Sequence, residues 1–75
     1  MPFIHVYAYK GRDTETKKKA AEAMVKVASE AMGAPLEAFT VVYQDVEPDN
    51  WEKEIVKPVM EPLADKRLIK QGKLL

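Results

Sequence analysis

The order of one strand, one long helix and one further strand is the feature that most constrains this chain. The segments 3–9 (FIHVYAY) and 39–46 (FTVVYQDV) are rich in aromatic and β-branched residues, which predicts two strands. Between them, residues 14–32 are mostly alanine, lysine and glutamate, with apolar residues at helical spacing, which predicts a helix. Such a connection usually forms a right-handed βαβ unit with parallel strands.

The ends of the long helix carry their own signals. Asp13 or Thr14 can cap its first turn, Gly33 is the expected left-handed residue after its last turn, and Pro35 prevents continuation. The lysines at 17–19 lie at the helix start, where the helix dipole disfavours positive charge. We interpret this lysine run as a solvated face; the alternative is that its charge influences a nearby anion site.

Two strands cannot bury both faces of a sheet in a chain of this size. Alternate residues of the first strand form a small aliphatic face, suited to packing under the helix, and a larger aromatic face, suited to a neighbouring subunit. The small face holds Ile4, Val6 and Ala8, and the aromatic face holds Phe3, His5, Tyr7 and Tyr9. A chain of 75 residues with no cysteine buries little surface and has no disulfides. We therefore expect an α+β fold that is completed by oligomerisation.

The last third of the chain has a different pattern. A short second helix is predicted over about residues 50–57, with Trp51 and Ile55 on its apolar side. Pro58 is expected to kink or end this helix. From Pro62 onward the pattern is irregular but apolar, so we expect an extended C-terminal tail that lies over a neighbouring copy.

Composition restricts the partners and the setting. The chain is expected to be a single domain over residues 1–75, with a core over 2–47 and a helix and tail over 48–75. The charges of its 12 basic and 12 acidic side chains cancel, and a net charge of zero argues against nucleic-acid and anionic-membrane partners. Without cysteine, a signal-like segment or a membrane span, a cytoplasmic location is expected. His5 alone cannot build a metal site, and we expect no metal or cofactor.

Few residues are left to carry chemistry, because no nucleophilic cysteine, phosphate-binding glycine loop or zinc motif is present. If Met1 is removed, Pro2 becomes a terminal secondary amine, which can be a base. An apolar pocket and a nearby guanidinium both disfavour the ammonium form of such a group. Arg12 could supply that guanidinium, bind a carboxylate and stabilise an enolate. The alternatives are a proline that merely begins a strand, a solvated Arg12 and a Trp51 that belongs to the core.

A series of short motifs follows an order known from one family. These are Met1-Pro2 before the first strand, Gly11-Arg12 after it, the long helix, GAPL at 33–36, FTVVYQDV, and EPDNW at 47–51. On these motifs the whole chain resembles the 4-oxalocrotonate tautomerase family of the tautomerase superfamily. The long C-terminal segment resembles a bacterial subgroup with an extended C-terminus. That likeness favours a homodimer over the hexamers of the shortest members.

The resemblance implies a tautomerase fold and a cofactor-independent isomerase. By position, Pro2 matches the general base of the family and Arg12 the arginine that binds a substrate carboxylate. Trp51 and Tyr9 match positions of the apolar wall. The substrate class is a small 2-oxo or enol acid that undergoes keto–enol tautomerisation.

One position departs from the family pattern. The better-known members carry a second arginine early in the second strand, where this chain has Thr40 flanked by Phe39. The substitution predicts weak binding of dicarboxylates and a preference for a monoacid. The alternative function is a non-catalytic oligomeric module that binds a small acid or a protein. That alternative applies especially if Met1 is retained, because the Pro2 nitrogen is then an amide.

Overall fold

The core of the molecule is a parallel two-stranded sheet joined by one helix. The computed structural model describes residues 1–75. In chain order, the elements are β1 (Phe3–Tyr9), α1 (Thr14–Met32) and β2 (Thr40–Val46). The strands pair in parallel, from Phe3 opposite Thr40 to Tyr9 opposite Val46. The predicted βαβ unit is therefore confirmed.

Helix α1 begins and ends where its capping residues predict. The Oδ1 atom of Asp13 accepts a hydrogen bond from the Thr16 N–H at 2.8 Å. At the other end, Gly33 has a φ of 68° and donates its N–H to the Ser29 carbonyl, a conformation that glycine adopts without a steric penalty. Although α1 is 19 residues long, none of the helices has the combination of length and apolar character needed to cross a membrane.

Strand β2 begins one residue later than the sequence predicts. The chain forms a 3₁₀ turn over Leu36–Ala38, and the Phe39 N–H donates to the Leu36 carbonyl at 3.2 Å. This bond closes the turn, so Phe39 lies just before the strand.

The two faces of the sheet are covered unequally. Helix α1 packs on the face of Ile4, Val6 and Ala8, as the alternation predicts. On the opposite face, only the C-terminal end is covered. There Val46 and Ile55 are the two buried residues of the chain, at 6% and 4% exposure. The N-terminal half of this face stays open, and Phe3 is 62% exposed, so one copy leaves part of the aromatic face uncovered, as the sequence predicts.

The second helix is longer and wider than predicted. After a 3₁₀ turn over Pro48–Asn50, the chain forms a π-helix over Glu52–Met60, with Pro58 inside it. The helix therefore does not end at Pro58, although ending there is one of the two outcomes that the sequence predicts. Proline cannot donate an α-helical hydrogen bond and its ring crowds the carbonyl four residues earlier, so the chain passes Pro58 in wider turns.

The segment after Pro62 is ordered into regular structure, and the prediction of an irregular pattern there is wrong. A 3₁₀-helix spans Glu61–Lys66, and a hairpin follows with strands β3 (Ile69–Lys70) and β4 (Lys73–Leu74). The two turn residues, Gln71 and Gly72, have φ values of 51° and 80°. Positive φ at both positions is the geometry of a tight hairpin turn. The glycine of this turn is the signal that sequence reasoning missed.

Candidate active site

The candidate residues separate into two clusters, and the first lies at the N-terminal end of the sheet. The Thr40 N–H donates to the Pro2 carbonyl at 3.2 Å, which holds the chain start against β2. Phe39 precedes this contact. Pro2 is half-buried, whereas Met1 is 99% exposed. Loss of Met1 would therefore remove no packing contact of consequence.

The second cluster lies at the C-terminal end of the sheet. An Nη1 atom of Arg12 donates to the Tyr9 carbonyl at 3.4 Å. The Tyr9 and Trp51 rings meet edge to face, with centroids 5.2 Å apart, a favoured arrangement of aromatic pairs. The guanidinium is therefore bonded to the backbone of a residue whose ring forms one half of an aromatic pair.

The loop that carries Arg12 is tied at both of its ends. At its start, the Lys10 N–H donates to the Val46 carbonyl at 2.9 Å. At its end, Asp13 caps α1. Hydrogen bonds from the Thr16 side chain and from its backbone N–H lower the pKa of the Asp13 carboxyl, because they favour its charged form. Asp13 thus stays anionic and keeps the cap well below neutral pH.

The structure does not bring the two clusters together in one chain. Pro2, Phe39 and Thr40 share one end of the sheet, and Tyr9, Arg12 and Trp51 share the other. At about 3.3 Å per residue, the seven-residue β1 separates the clusters by roughly 20 Å. One small substrate cannot reach Pro2 and Arg12 of the same copy.

Two further features near the second cluster were missed or misinterpreted from sequence. The view of the lysine run as a solvated face is wrong for Lys17, whose side chain pairs with Asp45 and is only 24% exposed.

A groove of about 310 Å³ also opens between the sheet and the π-helix. It is lined in part by Tyr7, Gln44, Asn50 and Glu54. No periodic pattern in the sequence marks this groove, because it joins segments from three parts of the chain.

No group of three or more histidine, aspartate or glutamate side chains is arranged to hold a metal ion. His5 instead makes a hydrogen bond with Gln44, with Nε2 and Oε1 2.9 Å apart. Its ring also stacks on that of Tyr7, with centroids 4.1 Å apart. These contacts place His5 on the open face of the sheet, between the two clusters along β1.

The family model described as "Tautomerase enzyme" matches residues 2–54 of the chain. The chain belongs to the tautomerase family. The match extends from Pro2 past Trp51, so it includes the residues of both clusters. Membership makes this chain a tautomerase, an enzyme of the isomerase class.

Curated relatives extend the likeness to the tautomerase's C-terminal segment. Tautomerase PptA of Pectobacterium carotovorum subsp. carotovorum (strain PC1) is 29% identical over 73 residues, which cover 96% of both chains. The PptA of Pectobacterium atrosepticum is 27% identical with the same coverage. The 2-hydroxymuconate tautomerase of Pseudomonas putida is 37% identical over 51 residues, 68% of this chain and 81% of that relative. No solved structure matches the chain significantly.

Proposed function

We propose that this tautomerase interconverts the keto and enol forms of a small 2-oxo acid, with the amine of Pro2 as the general base. The observation that carries the proposal is that Arg12 donates to the carbonyl of Tyr9, whose ring meets that of Trp51 edge to face. A carboxylate can bind the guanidinium while the apolar body of the same molecule packs on the aromatic wall. No cofactor takes part.

The chemistry needs one proton acceptor and one stabiliser of negative charge. In the enol-to-keto direction, the Pro2 nitrogen accepts the enol hydroxyl proton and the resulting ammonium returns a proton to carbon. The substrate is isomerised, and the enzyme ends in its starting protonation state. Arg12 holds the carboxylate and stabilises the charge that develops on the enolate oxygen.

The separation of the two clusters supports a site shared between copies. If two sheets associate in antiparallel orientation, the N-terminal end of one lies beside the C-terminal end of the other. Pro2 of one copy would then approach Arg12 of its partner, and a two-fold axis would create two such sites. The sparse core, with two buried residues in the chain, also favours association. We propose a homodimer because of the long C-terminal segment.

The residue at the start of β2 bears on the choice of substrate. Thr40 lies next to Pro2 and offers a hydroxyl but no positive charge. With Phe39 beside it, this end of the site suits an uncharged or aromatic group rather than a second carboxylate. We therefore propose a monoacid of the phenylenolpyruvate type as the preferred substrate.

The state of the N-terminus tests the proposal directly. The chain is short enough to be synthesised chemically with and without Met1, and both forms should fold alike because Met1 is 99% exposed. Phenylenolpyruvate ketonisation, followed by UV absorbance, should be fast only for the form that begins at Pro2. Equal rates for the two forms would exclude Pro2 as the base. Intact mass of the protein purified from cells then reports which form exists there.

A further inference from the structure

The short segment between β1 and α1 is anchored to one place, the end of β2. The Lys10 N–H donates to the Val46 carbonyl at 2.9 Å. One turn into α1, the Lys17 ammonium pairs with the carboxylate of Asp45, the neighbour of Val46. Both ends of the loop that carries Arg12 are therefore tied to adjacent residues of the same strand.

The ion pair between Lys17 and Asp45 differs from the others in the chain. Its side chains are 24% and 31% exposed, whereas both members of every other pair are more than half exposed. Lys17 also lies over the Tyr43 ring, with its Nζ atom 5.8 Å from the ring centroid. A shielded pair that is braced by an aromatic ring holds its geometry better than a surface pair, which solvent screens.

Few contacts of its own hold the Arg12 side chain in place. Its side chain is exposed and makes one hydrogen bond, a long one of 3.4 Å to the Tyr9 carbonyl. Gly11, directly before it, has a φ of 142° and so lies in a region that favours glycine. The position of the guanidinium therefore depends on where the backbone on either side of it is anchored.

We propose that Lys17 and Asp45 are positioning residues, which set where the Arg12 guanidinium meets the substrate carboxylate. The inference rests on the proposed function, since it needs Arg12 to bind the acid. It goes further by assigning a role in substrate affinity to an ion pair that touches no substrate. Small displacements of a binding group can cost a large part of its effect.

The test compares two lysine substitutions on the same helix. Lys17→Met breaks the shielded pair, and Lys19→Met breaks the exposed pair with Glu15. Lys17→Met should raise KM for phenylenolpyruvate about three- to tenfold, with kcat changed less than about twofold. Lys19→Met should leave both constants unchanged. Equal KM values for the two variants would overturn the proposal.

Two more variants separate positioning from general damage to the fold. Asp45→Asn breaks the same pair from the other side and should raise KM by a similar factor. Lys17→Arg keeps the charge and should restore KM to within about twofold of the unmodified enzyme. A KM for Lys17→Arg as high as that of Lys17→Met contradicts a role of the ion pair.

The Arg12→Ala background distinguishes this inference from the proposed function. If Lys17 acts through Arg12, Lys17→Met should have no further effect on KM once the guanidinium is gone. If Lys17→Met raises KM by the same factor in the natural enzyme and in Arg12→Ala, the positioning role is overturned but the tautomerase proposal is left intact. Arg12→Ala with an unchanged KM refutes the carboxylate-binding role of Arg12 itself.

Discussion

The indole ring of Trp51 lies nearly perpendicular to the phenol ring of Tyr9, with planes inclined at 81° and centroids 5.2 Å apart. This contact joins the start of the second helical segment to the end of β1. It also fixes an apolar surface on Tyr9, whose backbone carbonyl accepts a hydrogen bond from Arg12. The aromatic pair and the cation are thus connected through Tyr9.

Trp51→Ala should therefore weaken substrate binding more than it slows the chemistry. The pair contributes about 0.5–1.5 kcal/mol beyond its buried area, and the substrate loses apolar contact as well. We expect KM for phenylenolpyruvate to rise roughly five- to twentyfold, with a smaller change in kcat. Steady-state kinetics with Trp51→Phe as the control, which keeps an aromatic ring, measures the effect. An unchanged KM in the alanine variant would mean that Trp51 belongs only to the core.

Activity should reappear when two inactive forms of the chain assemble together. One form retains Met1, so its Pro2 nitrogen is an amide while Arg12 is intact. The other begins at Pro2 and carries Arg12→Ala. If each site takes its base from one copy and its guanidinium from another, random mixing restores about one quarter of the activity.

The measurement is the ketonisation rate after equal amounts of the two forms are unfolded and refolded together. Each form refolded alone gives the baseline, and native mass spectrometry confirms that mixed oligomers are present. Mixed oligomers with no recovered activity would mean that Pro2 and Arg12 of different copies do not share a site.

Local signals account for the parts of the fold that sequence predicted. Asp13 and Gly33 mark the ends of α1, because a side-chain cap and a left-handed residue depend on neighbours within a few positions. The alternation in β1 likewise predicts which face packs under the helix. Both features are determined by residues next to one another in the chain.

Features that depend on distant residues could not be predicted in the same way. Lys17 belongs to a run of three lysines, and only the fold shows that it meets Asp45, 28 positions away. The π-helix contains Pro58 and extends to Met60, and no local signal specifies its length. The sequence suggests which residues are candidates for the site, but their division into two clusters requires the strand register.

The open face of the sheet should be an interface between copies. Val42 lies opposite His5 on this face, near Phe3, and all three side chains are exposed. Val42→Asp would place a charge where apolar and aromatic groups should meet, so we expect the particle mass from light scattering to fall toward that of one chain. Val27→Asp, at an exposed apolar position on α1, is the matched control. A full-size oligomer in the Val42 variant would locate the interface elsewhere.

The cap of α1 should make stability depend on pH in a defined direction. Hydrogen bonds from the Thr16 side chain and from its backbone N–H lower the pKa of Asp13 in the folded chain, so folding favours its anionic form. The stabilisation is fully present above the ordinary aspartate pKa of about 3.9 and is lost as pH falls through the lower, folded-state value. Asp13→Ala should therefore lower Tm by a few degrees at pH 7 and by progressively less in acid.

Asp13→Ser separates the charge from the cap, since serine accepts the same hydrogen bond but does not titrate. The measurement is Tm from thermal unfolding, followed by circular dichroism. The Tm of the serine variant should exceed that of the alanine variant by an amount that does not change with pH. The difference in Tm between the natural chain and the serine variant should shrink on acidification, because this difference reflects the charge of the Asp13 carboxylate. A difference between the natural chain and Asp13→Ala that stays constant down to pH 2 would show that the carboxylate charge does not stabilise the loop that presents Arg12.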